Sequence, residues 1–130
     1  MITILTHDLL TKLEALLPEG TLREASPRYL EEPRAKWQGV AAAVAAPKTV
    51  EDVSTILRFA TAHRIALIPY GGGTGLVGGQ LTSTGAPLLL SLERMNAVRE
   101  VHPSENVIVV EAGCTLQAVQ DAAEKANRLF

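Results

Sequence analysis

The segment Ile65-Ala-Leu-Ile-Pro-Tyr-Gly-Gly-Gly-Thr-Gly-Leu-Val-Gly-Gly-Gln gathers six of the chain's ten glycines between positions 71 and 79. Glycine takes positive φ freely and lets backbone approach a ligand with no Cβ in between. Successive main-chain N–H groups can then converge on an anion. Neither Lys nor Arg falls between Arg64 and Arg94. A phosphate held here would meet main-chain dipoles and the Thr74 hydroxyl, without help from a cation.

Several chemistries use glycine-rich loops. A P-loop needs Lys and Ser/Thr directly after its last glycine, to reach the terminal phosphates and the metal. Gly79 is followed by Gln80 and Leu81, which excludes it. Gly73-Thr-Gly75-Leu-Val-Gly78 matches the dinucleotide fingerprint GxGxxG, with Glu93 near the position of a ribose-binding acid. That fingerprint demands a helix from the second glycine onward. Residues 76–87 hold Gly78, Gly79, Gly85, three hydroxyl side chains and Pro87, and each interior glycine costs a helix about 1 kcal/mol relative to alanine. An NAD-binding Rossmann domain is therefore the weaker alternative. A third reading, an extended loop running along a long cofactor, needs neither helix nor lysine. The remaining one is a non-catalytic interaction module in which the glycines serve a structural turn.

The elements around the loop follow from periodicity. Leu9, Leu10, Leu13, Leu16 and Leu17 recur at helical spacing after Thr6, a candidate N-cap, and Pro18 and Gly20 close the segment. Residues 21–39 read as a covering segment. Val40–Ala46 predicts a buried strand, and Thr49 caps a helix with Val50, Val53, Ile56, Leu57 and Ala60 on its inner face, ending near His63. Ile65–Ile68 predicts a second strand, parallel to and paired with the first. Leu88–Leu92 predicts a third. Val98–Val101 and Val107–Ala112, joined by Pro103-Ser-Glu-Asn, predict a hairpin. Thr115 caps a last helix with Leu116, Val119, Ala122, Ala123 and Ala126 inward.

Composition narrows the class. Apolar residues make up 47% and charged residues 20% of 130, a globular balance. A net charge of −2 favours neither nucleic acid nor an anionic membrane as partner. One cysteine, Cys114, excludes an internal disulfide framework. The N-terminus shows no basic leader with an apolar core, and the longest uncharged stretch is broken by glycine and proline, so no transmembrane segment is expected and the cytoplasm is the expected location. His7, His63 and His102 have no metal-ligand spacing and read as solvated. Trp37 reads as a packing anchor, Cys114 as a small buried residue, Asp121 and Glu124 as surface, and Glu93-Arg94 receives no role.

From about Trp37 to Phe130 the sequence resembles the FAD-binding domain of the vanillyl-alcohol oxidase (PCMH-type) flavoproteins. The resemblance rests on Pro47-Lys-Thr-Val-Glu-Asp-Val, then PYGGGTGLVGG, then LLLSLERMNAVREVHPSENVIVVEAGCTLQAV, in the family's order. Within the family it is most similar to the D-2-hydroxyacid dehydrogenases, which include glycolate oxidase flavin subunits, D-lactate dehydrogenases and D-2-hydroxyglutarate dehydrogenases. It implies an α+β fold: the N-terminal part of a PCMH-type domain, a small parallel sheet with flanking helices and an adjoining β-hairpin. Residues 1–36 would be a helical and covering segment, and residues 37–130 the first part of the FAD domain. The rest of that domain and a substrate domain with the catalytic groups would lie outside this chain, so no catalytic residue is assigned.

The resemblance also implies roles. Pro47 would border the adenine end of FAD. Gly71, Gly72, Gly73, Thr74 and Gly75 would wrap the pyrophosphate through main-chain N–H groups. Leu76, Gly78, Gly79 and Gln80 would continue toward the ribityl chain and isoalloxazine, and Gly113 would touch the nucleotide. Tyr70 stands where many relatives carry arginine. Thr74 stands where covalent relatives carry histidine, which implies non-covalent FAD. The implied reaction is oxidation of a small 2-hydroxy acid by hydride transfer to FAD; the sequence does not specify the electron acceptor.

Overall fold

The computed structural model describes residues 2–130. Thr6 caps α1 (His7–Glu14), its Oγ1 accepting from the Leu9 N–H at 3.4 Å. The helix stops two residues before Leu16, which is exposed instead of facing inward, while Leu13 is fully buried. The covering segment contributes β1 (Leu22–Arg23) and a single turn, α2 (Pro27–Leu30).

Then come β2 (Ala43–Ala45), α3 (Val50–His63), β3 (Leu67–Tyr70) and β4 (Leu88–Ser91), followed by β5 (Val98–His102), β6 (Val107–Val110) and α4 (Leu116–Lys125). An alanine run would suit a helix; here it forms a fully buried strand because β1 and β4 flank it and helices cover it.

The sheet order is β1-β2-β4-β3, with β2 and β3 each parallel to β4 and β1 antiparallel to β2. This corrects the expected β2–β3 pair: β4 lies between them. Pro69 explains the arrangement. It lacks an N–H for a second ladder, so its strand takes the edge, and the all-buried Leu-Leu-Leu-Ser of β4 takes the centre. The edge strand also begins two residues later than expected. Ile65 is tied to the end of α3 through its N–H to Ala60 O at 2.8 Å, with Arg64 left-handed at φ 54°.

Side chains alternate across the sheet as strand geometry requires. Ala43, Ala45, Leu88 and Leu90 meet Leu13 of α1 and Ile56, Phe59 and Ala60 of α3 on one face. Val44, Leu89 and Tyr70 meet Tyr29 of α2 on the other. Thr49 caps α3 as expected, accepting from the Asp52 N–H at 3.1 Å. The helix faces inward with Phe59, while Val50 and Leu57, expected inside, are exposed.

β5 and β6 form the expected hairpin, with a register irregularity between Val98 and Glu100. Thr115 caps α4, which buries Val119 and Ala123 and leaves Leu116 exposed. Among the described residues no helix is long and apolar enough to cross a membrane.

Candidate functional site

Three parallel strands, β2, β3 and β4, end on the same side of the sheet, the usual place for a ligand in such sheets. The glycine loop leaves β3 there. It reaches β4 through residues 71–87 without any helix, which removes the support a dinucleotide fingerprint requires. A structureless connection of this length in a small domain is characteristically functional.

A groove of about 940 Å³ opens at this end, lined by Tyr70, Gly71, Gly72 and Thr74 of the loop region. Glu93, Asn96, Gly113, the start of α4 and Arg28 line it as well. Among the described residues, no hydrogen bond within the chain is donated by the main-chain N–H of Gly71, Gly72, Gly73, Thr74 or Gly75. Five consecutive donors are thus unpaired, and three of the residues that carry them, Gly71, Gly72 and Thr74, line the cavity. The N-terminal end of α4, with its partial positive charge, borders the same space.

Local chemistry holds the loop in this shape. Gly73 has φ 70°, and a Cβ built there would overlap the Tyr70 hydroxyl. Tyr70 itself is buried, its hydroxyl donating to Arg28 O at 3.1 Å and its ring packed edge-on against Tyr29 at 5.3 Å between centroids. Burial pushes the Tyr70 phenol above its usual range, which keeps it a neutral donor. Gln80 Nε2 donates to the carbonyls of Gly73 at 3.3 Å and Gly75 at 2.9 Å. The carbonyls are thereby occupied while the N–H groups stay free.

The covering segment braces the loop's other flank. Arg34 donates to Leu76 O at 2.6 Å and pairs with the buried carboxylate of Glu32 at 2.7 Å. Burial raises the Glu32 pKa, but Arg34 and the main-chain N–H groups of Lys36 and Arg34 outweigh it and hold the carboxyl below its ordinary range. Trp37, expected as a packing anchor, is 48% exposed and lies against Gly78.

Not every anticipated site residue reaches the groove. Gly73, Gly75, Leu76, Gly78, Gly79 and Gln80 belong to the loop but do not line the cavity. Leu76 is exposed, and Gly79 has open space where a Cβ would stand. Pro47 is fully buried and does not line the cavity. Gly113 does line it, yet its glycine identity is explained by packing. A Cβ there would collide with Leu92 O, and its N–H donates to Met95 O at 2.8 Å.

Four charged residues were missed. Glu93 accepts from Arg23 at 2.8 Å, from the Tyr29 hydroxyl at 2.7 Å and from Arg28, linking the covering segment to the end of β4. Arg94 donates to Gly20 O at 3.0 Å and Ala46 O at 2.9 Å, fastening the end of β2. Arg28 brings a cation to a groove expected to have none. Arg23 and Arg28 are distant in sequence from the loop, so spacing gave no signal; the Glu93-Arg94 pair at a strand end was the only trace. His7, His63 and His102 remain on separate elements, and His102 pairs with Glu100 at 2.8 Å. Cys114 is half-buried, its Sγ donating to Ala97 O at 3.4 Å.

Known proteins carry the same architecture. A family described as FAD binding domain matches residues 41–130. A D-2-hydroxyglutarate dehydrogenase of Xanthomonas citri pv. viticola is 37% identical over 73% of this chain and 20% of its own length. The mitochondrial D-2-hydroxyglutarate dehydrogenase of Bos taurus is 32% identical over 95% of this chain and 23% of its own length. This chain thus spans about a fifth of the curated relatives it matches. Among solved structures, an alkyldihydroxyacetonephosphate synthase superposes with a TM-score of 0.77 at 17% identity, covering 92% of this chain and 27% of that one. A substrate-bound p-cresol methylhydroxylase gives 0.73 at 20% identity, covering 94% and 26%. These likenesses establish the fold alone. With a family match across more than half its length, and the parallel sheet, helix-free glycine loop and hairpin in place, this chain belongs to the FAD-binding domain family of PCMH-type flavoproteins.

Proposed function

We propose that the chain supplies the diphosphate-binding part of an FAD-dependent oxidoreductase acting on a small 2-hydroxy acid, of the D-2-hydroxyglutarate class carried in its relatives' names. The observation that carries this reading is the run of five unpaired main-chain N–H groups, Gly71 to Gly75, of which Gly71, Gly72 and Thr74 line the groove. The residues fit the cofactor. The groove's size is in the range of small-molecule sites, about 300–1,000 Å³, and donors without Cβ cover allow close approach of a diphosphate. Gly71, Gly72, Gly73, Thr74 and Gly75 would hold the phosphates, with Leu76, Gly78, Gly79 and Gln80 shaping the path onward. Gly113 would set the distance between the groove's walls.

When bound, FAD supplies the redox chemistry, taking up a hydride from the substrate's α-carbon. This chain's part is positional: it grips the nucleotide and fixes where the ring system lies. The base and any metal would come from the rest of the protein, so no residue here is assigned to the chemical step. Thr74, in place of a histidine, supports non-covalent attachment. The cytoplasm belongs to the same proposal, and "mitochondrial" in the Bos taurus relative's name makes cell fractionation its test.

The test is the absorption spectrum of protein purified from the complete reading frame, alongside Gly73→Val. Flavin bands in the wild type, released by denaturation and lost in the variant, are expected. A colourless wild type that FAD does not reconstitute would overturn the proposal.

A further inference from the structure

Among the described residues, Arg28 is the single cation lining the groove. Its side chain is 61% exposed, so it is not a core anchor. Two contacts nevertheless fix it. The guanidinium lies 4.4 Å from the Tyr29 ring centroid, and its Nη2 donates to the Tyr29 hydroxyl at 2.6 Å and to Glu93 Oε2.

Only Nη2 is used. Among the described residues, neither Nε nor Nη1 of Arg28 has a partner within the chain. Glu93 does not cancel the positive charge, because the same carboxylate also pairs with Arg23 at 2.8 Å. Two guanidiniums share one carboxylate, leaving the cluster one positive charge in excess. Arg28 lines the same groove as Gly71, Gly72 and Thr74, whose N–H groups are free, and its carbonyl accepts from the Tyr70 hydroxyl at the start of the loop. An anion in this groove would gain both the unused guanidinium donors and a row of main-chain dipoles.

Resting on the flavin reading above, we propose that Arg28 is a phosphate-binding residue, acting on the FAD diphosphate together with the free N–H groups of Gly71, Gly72 and Thr74. Tyr29 and Glu93 position it. A phosphate-free ligand gains nothing from this residue, which separates its role from a general effect on folding.

The experiment compares FAD with riboflavin on flavin-stripped protein from the complete reading frame. Arg28→Gln is expected to weaken FAD about tenfold or more, the usual scale for a lost charge-assisted hydrogen bond, and to leave riboflavin binding unchanged. Arg28→Lys should recover part of the loss. A second measurement needs no variant: labelling of wild-type arginines with phenylglyoxal, read by mass spectrometry. FAD should shield Arg28 and riboflavin should not. Unchanged FAD affinity in Arg28→Gln, equal losses for both ligands, or equal labelling of Arg28 with and without FAD would overturn the proposal. Failure of the wild type to bind FAD at all would instead bring down the flavin reading on which it rests.

Discussion

Gly71 and Gly73 are two residues apart and face different constraints. Gly73 combines a left-handed backbone with a position that a Cβ would share with the Tyr70 hydroxyl. Gly71 has neither problem, since nothing lies within 4 Å of a Cβ built there. Gly73→Ala is therefore expected to lower stability by about 1–3 kcal/mol, the cost of one strained backbone position, and to weaken FAD binding with it. Gly71→Ala should melt like the wild type while still losing FAD affinity, because its new methyl stands at the open face that the ligand approaches. Thermal melts paired with FAD titrations check both; identical melting of the two variants would refute the distinction. Gln80→Ala removes two donors from loop carbonyls, and a loss of about 0.5–1.5 kcal/mol is expected, again read by melting. The loop's chemistry was legible because glycine clustering is local. Arg28, Glu32, Arg34 and Glu93 were not, because their partners lie 42 to 70 positions away or in a turn whose shape tertiary contacts decide.

Elements, like residues, were readable where the cause is local. The caps at Thr6, Thr49 and Thr115 were read from sequence and are formed. Thr49→Ala should cost about 1 kcal/mol, as caps usually do, visible as a lower denaturant midpoint. The strand order was misread because adjacency in the chain suggested a β2–β3 pair; the missing N–H of Pro69 decides which strand takes the edge. The β5–β6 hairpin carries a pH signature. The Glu111 carboxylate accepts from the Ala97 N–H at 2.9 Å and from Arg99 at 2.9 Å, and these hold its pKa below the ordinary range, the main-chain bond most strongly. A folded pKa below the unfolded one means stability present above the ordinary carboxylate range and lost as pH falls through the depressed value. Acid should therefore destabilise the wild type more than Glu111→Gln. Melting midpoints from pH 6 to pH 3 measure this, and parallel curves would count against it.

At the scale of the whole molecule, the sheet ends, the glycine loop and the start of α4 line one groove, while the curated relatives are about four times as long as this chain. Val50 and Leu57 on α3, with Ile2 beside its end, leave apolar surface in contact with solvent. The 130-residue chain by itself is expected to bind FAD at least tenfold more weakly than protein from the complete reading frame; equal affinity by titration would show that this piece holds the whole cofactor site.

The central claim is that free main-chain N–H groups between Gly71 and Gly75 take the diphosphate. Hydrogen–deuterium exchange of the peptide containing residues 71–80, in protein from the complete reading frame, reads those groups directly. The account predicts fast exchange without flavin and marked slowing once FAD is bound, with the hairpin peptide over residues 98–110 unaffected. Stoichiometric FAD binding with unchanged exchange across residues 71–80 would contradict it.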